Sequence, residues 1–300
     1  MRVANAPCSW SVVDETGTAV DSVPYPRMLD ELAQAGYAGT ELGDWGFLPT
    51  DAATLRDELR RRSLALVGAF VPVALADLAT HEEGERQALR VATLLRDSHD
   101  ARDGAPVLVL ADDATPARMA VAGCAGVEHE LSAPGWRTLA QGAERIARAV
   151  LDATGLRTAF HHHCGTHVET PAEVERLLDL TDPELIGLCF DAGHYTYGGG
   201  DAVDGLRRFG DRVCHVHMKD CDGEALARAR SGGQRYWDAV RAGVFCELGA
   251  GVVDVAGVFA ELRERAYDGW LVVEDEAPPE RGTALERALR DRELLRAMGV

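Results

Sequence analysis

The sequence has no C-x-x-C pair, no surplus of positive charge and no stretch approaching the roughly 20 consecutive apolar residues that span a bilayer. Each absence excludes something. Seven cysteines (Cys8, Cys124, Cys164, Cys189, Cys214, Cys221, Cys246) without paired spacing read as reduced thiols buried in strands, not as a disulfide framework or structural zinc site. A net charge of -18 at pH 7 excludes a general nucleic-acid binder and opposes anionic membranes, although a few local cations can still hold an anionic substrate. The first residues, MRVANAPCSW, lack the apolar core of a signal peptide, so a soluble, cytoplasmic protein is expected. No linker, low-complexity tract or internal repeat divides the chain. The run Gly198-Gly199-Gly200 lacks the Lys-Ser/Thr ending of a phosphate loop and reads as a flexible turn.

What is present is ample apolar material, 46% of residues, arranged in short runs. Eight runs read as strands: 2–6, 40–42, 64–71 (broken by Pro72), 106–110, 156–160, 185–190, 213–218 and 270–273. Amphipathic stretches at 26–35, 51–62, 83–96, 135–153, from 170, 203–209, 254–265 and 283–298 alternate with them and read as helices. Thr170-Pro171-Ala172-Glu173 carries a helix-start pattern. Strands alternating with helices over 300 residues predict one α/β domain, 1–300, folded as a (β/α)8 TIM barrel. Segments 112–134 and 220–250 are insertions after the fourth and seventh strands, expected on the active-site side as lids or plain surface loops.

The chemistry concentrates between Phe160 and Lys219, where seven of the ten histidines lie. The strands there release polar groups at their C-terminal ends, the face on which barrel active sites are built. Asp191 and His194 are three apart at a strand end. His215 and His217 are two apart on a strand and share a face, with His217 nearer the end and the better ligand. Glu274 ends the eighth strand. Singly, each has a plain structural reading: a hydrogen-bonded histidine, a turn cap, a surface charge. Together at adjacent strand ends they form a set suited to Mn2+, Co2+, Mg2+ or Zn2+. In the triple His161-His162-His163, alternation sends His161 and His163 into the pocket and packs His162 behind. Glu169 follows closely enough to turn back toward a metal, or else charges a helix N-terminus.

The runs HHHCGTHVETP, FDAGHYTYGGGD, HVHMKD, AVRAGVF and YDGWLVVE, with NAPCSW and AGYAGTELG earlier, resemble those of the myo-inosose dehydratases and their sugar-phosphate-isomerase-like relatives, the xylose-isomerase-type TIM barrels. The resemblance spans most of the chain and is strongest over 160–276. It implies a divalent metal, Mn2+ or Co2+ before Mg2+ or Zn2+, held by Asp191, His217, Glu274 and one fifth-strand group. Many relatives have Glu where His161 stands, which leaves Glu169 or a histidine to complete the set, with Glu169 preferred. Departures from the dehydratases at Cys164, at Leu248-Gly-Ala-Gly251 and around Val71-Pro72-Val73 are expected near the pocket and bear on substrate identity.

The expected reaction begins with the metal acting as a Lewis acid on a ketone and its neighbouring hydroxyl while a neutral histidine removes the adjacent proton. His163 and His194 are the acid–base candidates, with His161 behind them. Lys219 neutralises an oxyanion or is a solvated strand end. Arg241 reaches over the pocket or is a surface arginine. Glu41 is expected to bind a substrate hydroxyl and Trp10 to form an apolar wall. The small-molecule partner is a polyol or sugar, and homo-oligomers are common among the relatives. Dehydration of an inosose is the first reading. Ketose isomerisation or epimerisation at the same site, a hydrolase of the apurinic-endonuclease type (opposed by the charge) and a non-catalytic sugar-binding barrel are the alternatives.

Overall fold

The computed structural model describes residues 1–300. Eight parallel strands follow one another around a closed barrel. They are β1 (Arg2–Asn5), β2 (Gly39–Glu41), β3 (Ala65–Val73), β4 (Val107–Asp112), β5 (Thr158–His161), β6 (Ile186–Asp191), β7 (Val213–Met218) and β8 (Trp270–Val273). Closure is between β8 and β1, with Arg2 opposite Trp270 and Asn5 opposite Val273. Helices return the chain between strands. Their ends follow the sequence signals: Asp51 accepts a bond from the Thr54 amide, and Thr170 and Glu173 form a reciprocal cap with Pro171 in the first turn.

The period-2 pattern of the strands sorts their side chains. Outward residues such as Leu66, Leu110, Phe160, Leu188, Val216 and Leu271 pack with the helices in the main core. Inward residues fill the barrel with small apolar groups: Ala4, Ala65, Val67 and Val272 in one packet, Val109, Ala159 and Cys189 in another. One step further along the same inward faces, toward the C-terminal ends, the residues become His161, Asp191, His217 and Glu274. Alternation therefore carries the polar set onto a floor that is apolar apart from Glu41 and His215.

The third strand departs from the expected pattern. It runs through Pro72 to Val73 rather than stopping before it. Pairing with β2 ends at Gly68, while pairing with β4 continues to Val73, so Pro72 lies where one edge of β3 has no partner and a missing N–H costs no ladder bond. The register also shifts: Thr40 lies opposite Leu66, but Glu41 lies opposite Gly68. This bulge reverses which residues face inward. Beyond it Ala69, Val71 and Val73 join the outer core, and Phe70 points into the barrel mouth.

Three structured segments rise around that mouth. The insertion 220–250 contains helices Gly223–Gly232 and Tyr236–Arg241 and a ribbon in which Asp220–Cys221 pairs with Phe245–Cys246. The insertion 112–134 holds the short helix Pro116–Met119. A hairpin, Ser11–Val13 with Ala19–Ser22, was not foreseen in the sequence. Its tip residue Gly17 (φ 83°) lies so close to the Trp237 indole that a Cβ would fall 2.3 Å from it. The helix Ala192–Tyr197, directly after β6, is also additional to the sequence expectation. All seven cysteines are free thiols. No helix is long and apolar enough to cross a membrane.

Candidate active site and metal centre

The mouth encloses a cavity of about 760 Å³ whose wall includes His161, His163, Lys219, Glu274 and Glu276. At its floor, one ligand atom each from His161, Asp191, His217 and Glu274 lies within 4.8 Å of every other. His217 Nδ1 is 3.4 Å from Glu274 Oε1 and 3.9 Å from Asp191 Oδ2, and His161 Nε2 is 3.6 Å from the same Asp191 oxygen. Asp191 Oδ2 and His217 Nδ1 are buried without any hydrogen-bond partner. Two buried polar atoms left without a partner are a poor arrangement on their own, and a divalent cation satisfies both. The donor set therefore fits a metal.

The orientation of each member has a visible cause. Asp191 divides its carboxylate: Oδ1 accepts from the His194 amide at 2.6 Å and caps the helix that follows, leaving Oδ2 to the cluster. His162, fully buried behind the wall, accepts from the Asp191 amide on Nε2 at 3.2 Å. Expected alternation through the histidine triple is what the structure has. His217 is fixed by Glu41, whose Oε1 accepts from His217 Nε2 at 3.0 Å and from His215 Nε2 at 2.8 Å. A carboxylate has no proton to give, so Nε2 carries the hydrogen and Nδ1 presents its lone pair. Burial alone would raise the Glu41 carboxyl, but His217 and His215 hold it down at about 2.

Glu41, expected to bind a substrate hydroxyl, lines the cavity and gives its Oε1 to the two histidines. Replacing it with Gln puts a neutral amide under His217 and should weaken metal binding by about 10–100-fold while leaving the barrel folded. Titration of metal-free protein against a competing chelator measures this. Unchanged affinity would show that Glu41 does not set the His217 orientation.

Glu169 is not brought to the cluster. Its two oxygens accept from the amides of Gly165 and Gly123, each at 2.7 Å, and Arg118 lies 3.9 Å away. The loop after His163 turns away from the mouth and fastens the 112–134 insertion, so the fifth-strand position in the cluster belongs to His161. Burial pushes the Glu169 carboxyl up to about 7, so Glu169→Gln should cost no more than about 1 kcal/mol at neutral pH and leave metal content unchanged. Urea unfolding beside elemental analysis checks both. Loss of metal in a variant that remains folded would return Glu169 to the ligand set.

The acid–base candidates separate. His163 lines the cavity. Its Nδ1 is 2.7 Å from the Cys164 carbonyl oxygen, which only accepts, so Nδ1 holds the hydrogen and Nε2 is bare; the Tyr236 hydroxyl lies 3.4 Å from it. Burial, followed by the neighbouring charges of His161 and Lys219, pulls the imidazole down to about 3, so it is neutral near pH 7. His194 does not reach the cavity wall. It is 1% exposed and packed behind His163, with ring centroids 3.9 Å apart and the planes tilted by 39°. Burial holds it well below the usual imidazole range, and its Nε2 lies 3.4 Å from Lys219 Nζ.

Lys219 is the only lysine in the chain. It is 1% exposed yet borders the cavity, with Nζ 2.5 Å from Glu276 Oε1, 3.1 Å from Glu274 Oε2 and 4.6 Å from the centre of the Phe245 ring. Burial opposes its charge, but Glu276, Glu274 and Asp191 outweigh that and raise it well above the ordinary lysine value. Sequence reasoning passed over Glu276. The signal was there: in Glu274-Asp275-Glu276, alternate members face the same way, and Asp275 turns outward to Arg287 at 3.2 Å. Trp10 lines the wall as expected, its indole N–H donating to Glu31 at 2.7 Å. Arg241 stands on the rim, bonded to Asp238 at 2.6 Å.

Of the two insertions, 220–250 supplies Trp237, Val240 and Arg241 to the wall, and 112–134 supplies none of it. The departures at Cys164 and Leu248–Gly251 also lie off the wall. The second is folded onto Asp220, which accepts from the amides of Gly249, Gly251 and Val253.

Residues 29–298 match the family model described as the xylose isomerase-like TIM barrel, and the chain belongs to that family. Within it, the rhizopine catabolism protein MocC of Rhizobium meliloti is 36% identical over 302 residues, 99% of this chain and 88% of that protein. An inosose dehydratase of Geobacillus kaustophilus is 32% identical over 287 residues, 93% of this chain and 88% of that enzyme. Among solved structures, the IOLI protein with a bound zinc atom gives a TM-score of 0.71 at 13% identity, covering 99% of this chain and 98% of that one. The probable 3-DHS dehydratase AsbF of Bacillus anthracis gives 0.71 at 15% identity, covering 99% of both chains. At these identities the structural likeness shows the fold alone.

Proposed function

We propose that this chain is a metal-dependent dehydratase of an inosose or a related keto-polyol, with His161, Asp191, His217 and Glu274 as the metal-holding set. The observation that carries the reading is the convergence of those four donor atoms, two of them buried and unpartnered, beside a neutral histidine on a cavity wall. The inosose dehydratases among the relatives support the substrate class. Two imidazole nitrogens and two carboxylate oxygens suit Mn2+, Co2+ or Zn2+, with Mg2+ last. Seven free thiols accord with a reducing, cytoplasmic location.

When bound, the divalent cation supplies Lewis-acid charge beside the ketone and its neighbouring hydroxyl. The chain's residues do the rest. His163 takes the proton from the carbon next to the carbonyl on its bare Nε2, and the C–H electron pair becomes the new C=C bond. The C–O bond on the following carbon breaks, and hydroxide leaves as water with a proton from Glu276, whose carboxyl burial pushes up, while Lys219 keeps its charge. The Lys219 charge faces the developing oxyanion. His194 packs behind His163 and acts as a positioning residue. The enol product then tautomerises to a dione. Incubation with an inosose tests this through the product mass. Loss of one water supports dehydration. A product of unchanged mass means isomerisation or epimerisation, which shares the proton abstraction and returns the proton to carbon.

A further inference from the structure

A phenylalanine in the middle of a barrel strand is ordinarily core. Phe70 is not: its neighbours Ala69 and Val71 are fully buried, yet Phe70 is 37% exposed. Its exposure is to the cavity, because the bulge at Val67 turns it inward. One edge of the site is thereby an aromatic ring, 5.8 Å between centroids from His161 and 6.5 Å from His163. More than a third of its surface is left open by the protein. Every other side chain named at this end of the cavity carries charge or hydrogen-bonding atoms.

An uncovered aromatic face beside polar groups recognises a ligand that is apolar on one face and polar around its edge. A six-membered cyclitol with all its hydroxyls equatorial has that shape. Its axial C–H bonds form two apolar faces, and its oxygens point outward in the ring plane. An axial hydroxyl on the face turned toward Phe70 would lift the ring off the aromatic surface and lose its own hydration against carbon.

We infer that Phe70 is a stacking platform that selects flat, all-equatorial cyclitols and orients them against His161 and His163. This rests on the proposed action on keto-polyols and adds the stereochemical class of the substrate. The test is calorimetric titration of the metal-loaded protein with two unreactive probes, the all-equatorial inositol and an epimer with one axial hydroxyl. Wild type should bind the first about tenfold or more tighter. Phe70→Ala should weaken that binding about tenfold and bring the two probes within about threefold of each other, with metal affinity unchanged. Phe70→Tyr should restore the preference. Equal binding of both probes by wild type, or a preference that survives Phe70→Ala, overturns the inference. Inosose turnover on the same preparations reports separately on the reaction. If nothing is dehydrated but the preference is present and falls with Phe70, the platform stands and the dehydratase reading fails.

Discussion

Asp191→Asn is expected to lose bound metal and turnover together, with activity down at least about 1,000-fold. The substitution is nearly isosteric. Its side-chain oxygen can still accept from the His194 amide, so the cap on the Ala192–Tyr197 helix is preserved. What changes is the second position, where Oδ2 sits buried and unpartnered 3.6 Å from His161 Nε2 and 3.9 Å from His217 Nδ1. Asparagine either turns an N–H toward the cation or gives up the cap. A folded variant that retains one metal per chain would show that Asp191 is not a ligand.

His163→Gln should leave the metal in place and lower kcat by about 100- to 10,000-fold, the usual worth of a positioned base. The side chain is outside the four-atom cluster, and its bond to the Cys164 carbonyl is local. Gln can keep that bond and cannot take the proton. Elemental analysis separates the two roles of histidine at this site: metal lost with His163 would make it a ligand, and turnover kept without it would leave the chain with no neutral base on the cavity wall. The same variant at His194 should be milder, because that ring reaches the reaction only through His163 and Lys219.

Much of the site was legible because barrel strands expose a simple rule. An apolar run that ends in His, Asp or Glu brings that residue to the mouth, and alternation assigns its neighbours. Asp191, His217, Glu274, and the split of His161 and His163 from His162 all follow from it. The rule fails where pairing is irregular or where the chain leaves the sheet. The bulge opposite Glu41 inverted the inward face of β3, so nothing in the sequence period singled out Phe70. Glu169 sits in a loop, and only the fold shows that the glycine amides of two segments claim its oxygens. Glu41 is at a strand end as expected, but its partners come from β7, 174 and 176 residues away in sequence. The hairpin at 11–22 has short strands and an exposed outer face, too little pattern to register as structure.

The central claim is that one divalent cation, held by His161, Asp191, His217 and Glu274, is required to dehydrate an inosose. The most direct measurement is elemental analysis of the purified protein, paired with turnover of an inosose after chelation and after stepwise return of Mn2+ or Co2+. About one metal per chain is expected, with activity lost on stripping and restored in proportion to metal returned up to that ratio. Full dehydration by the stripped protein, or no metal bound under any loading condition, would contradict it.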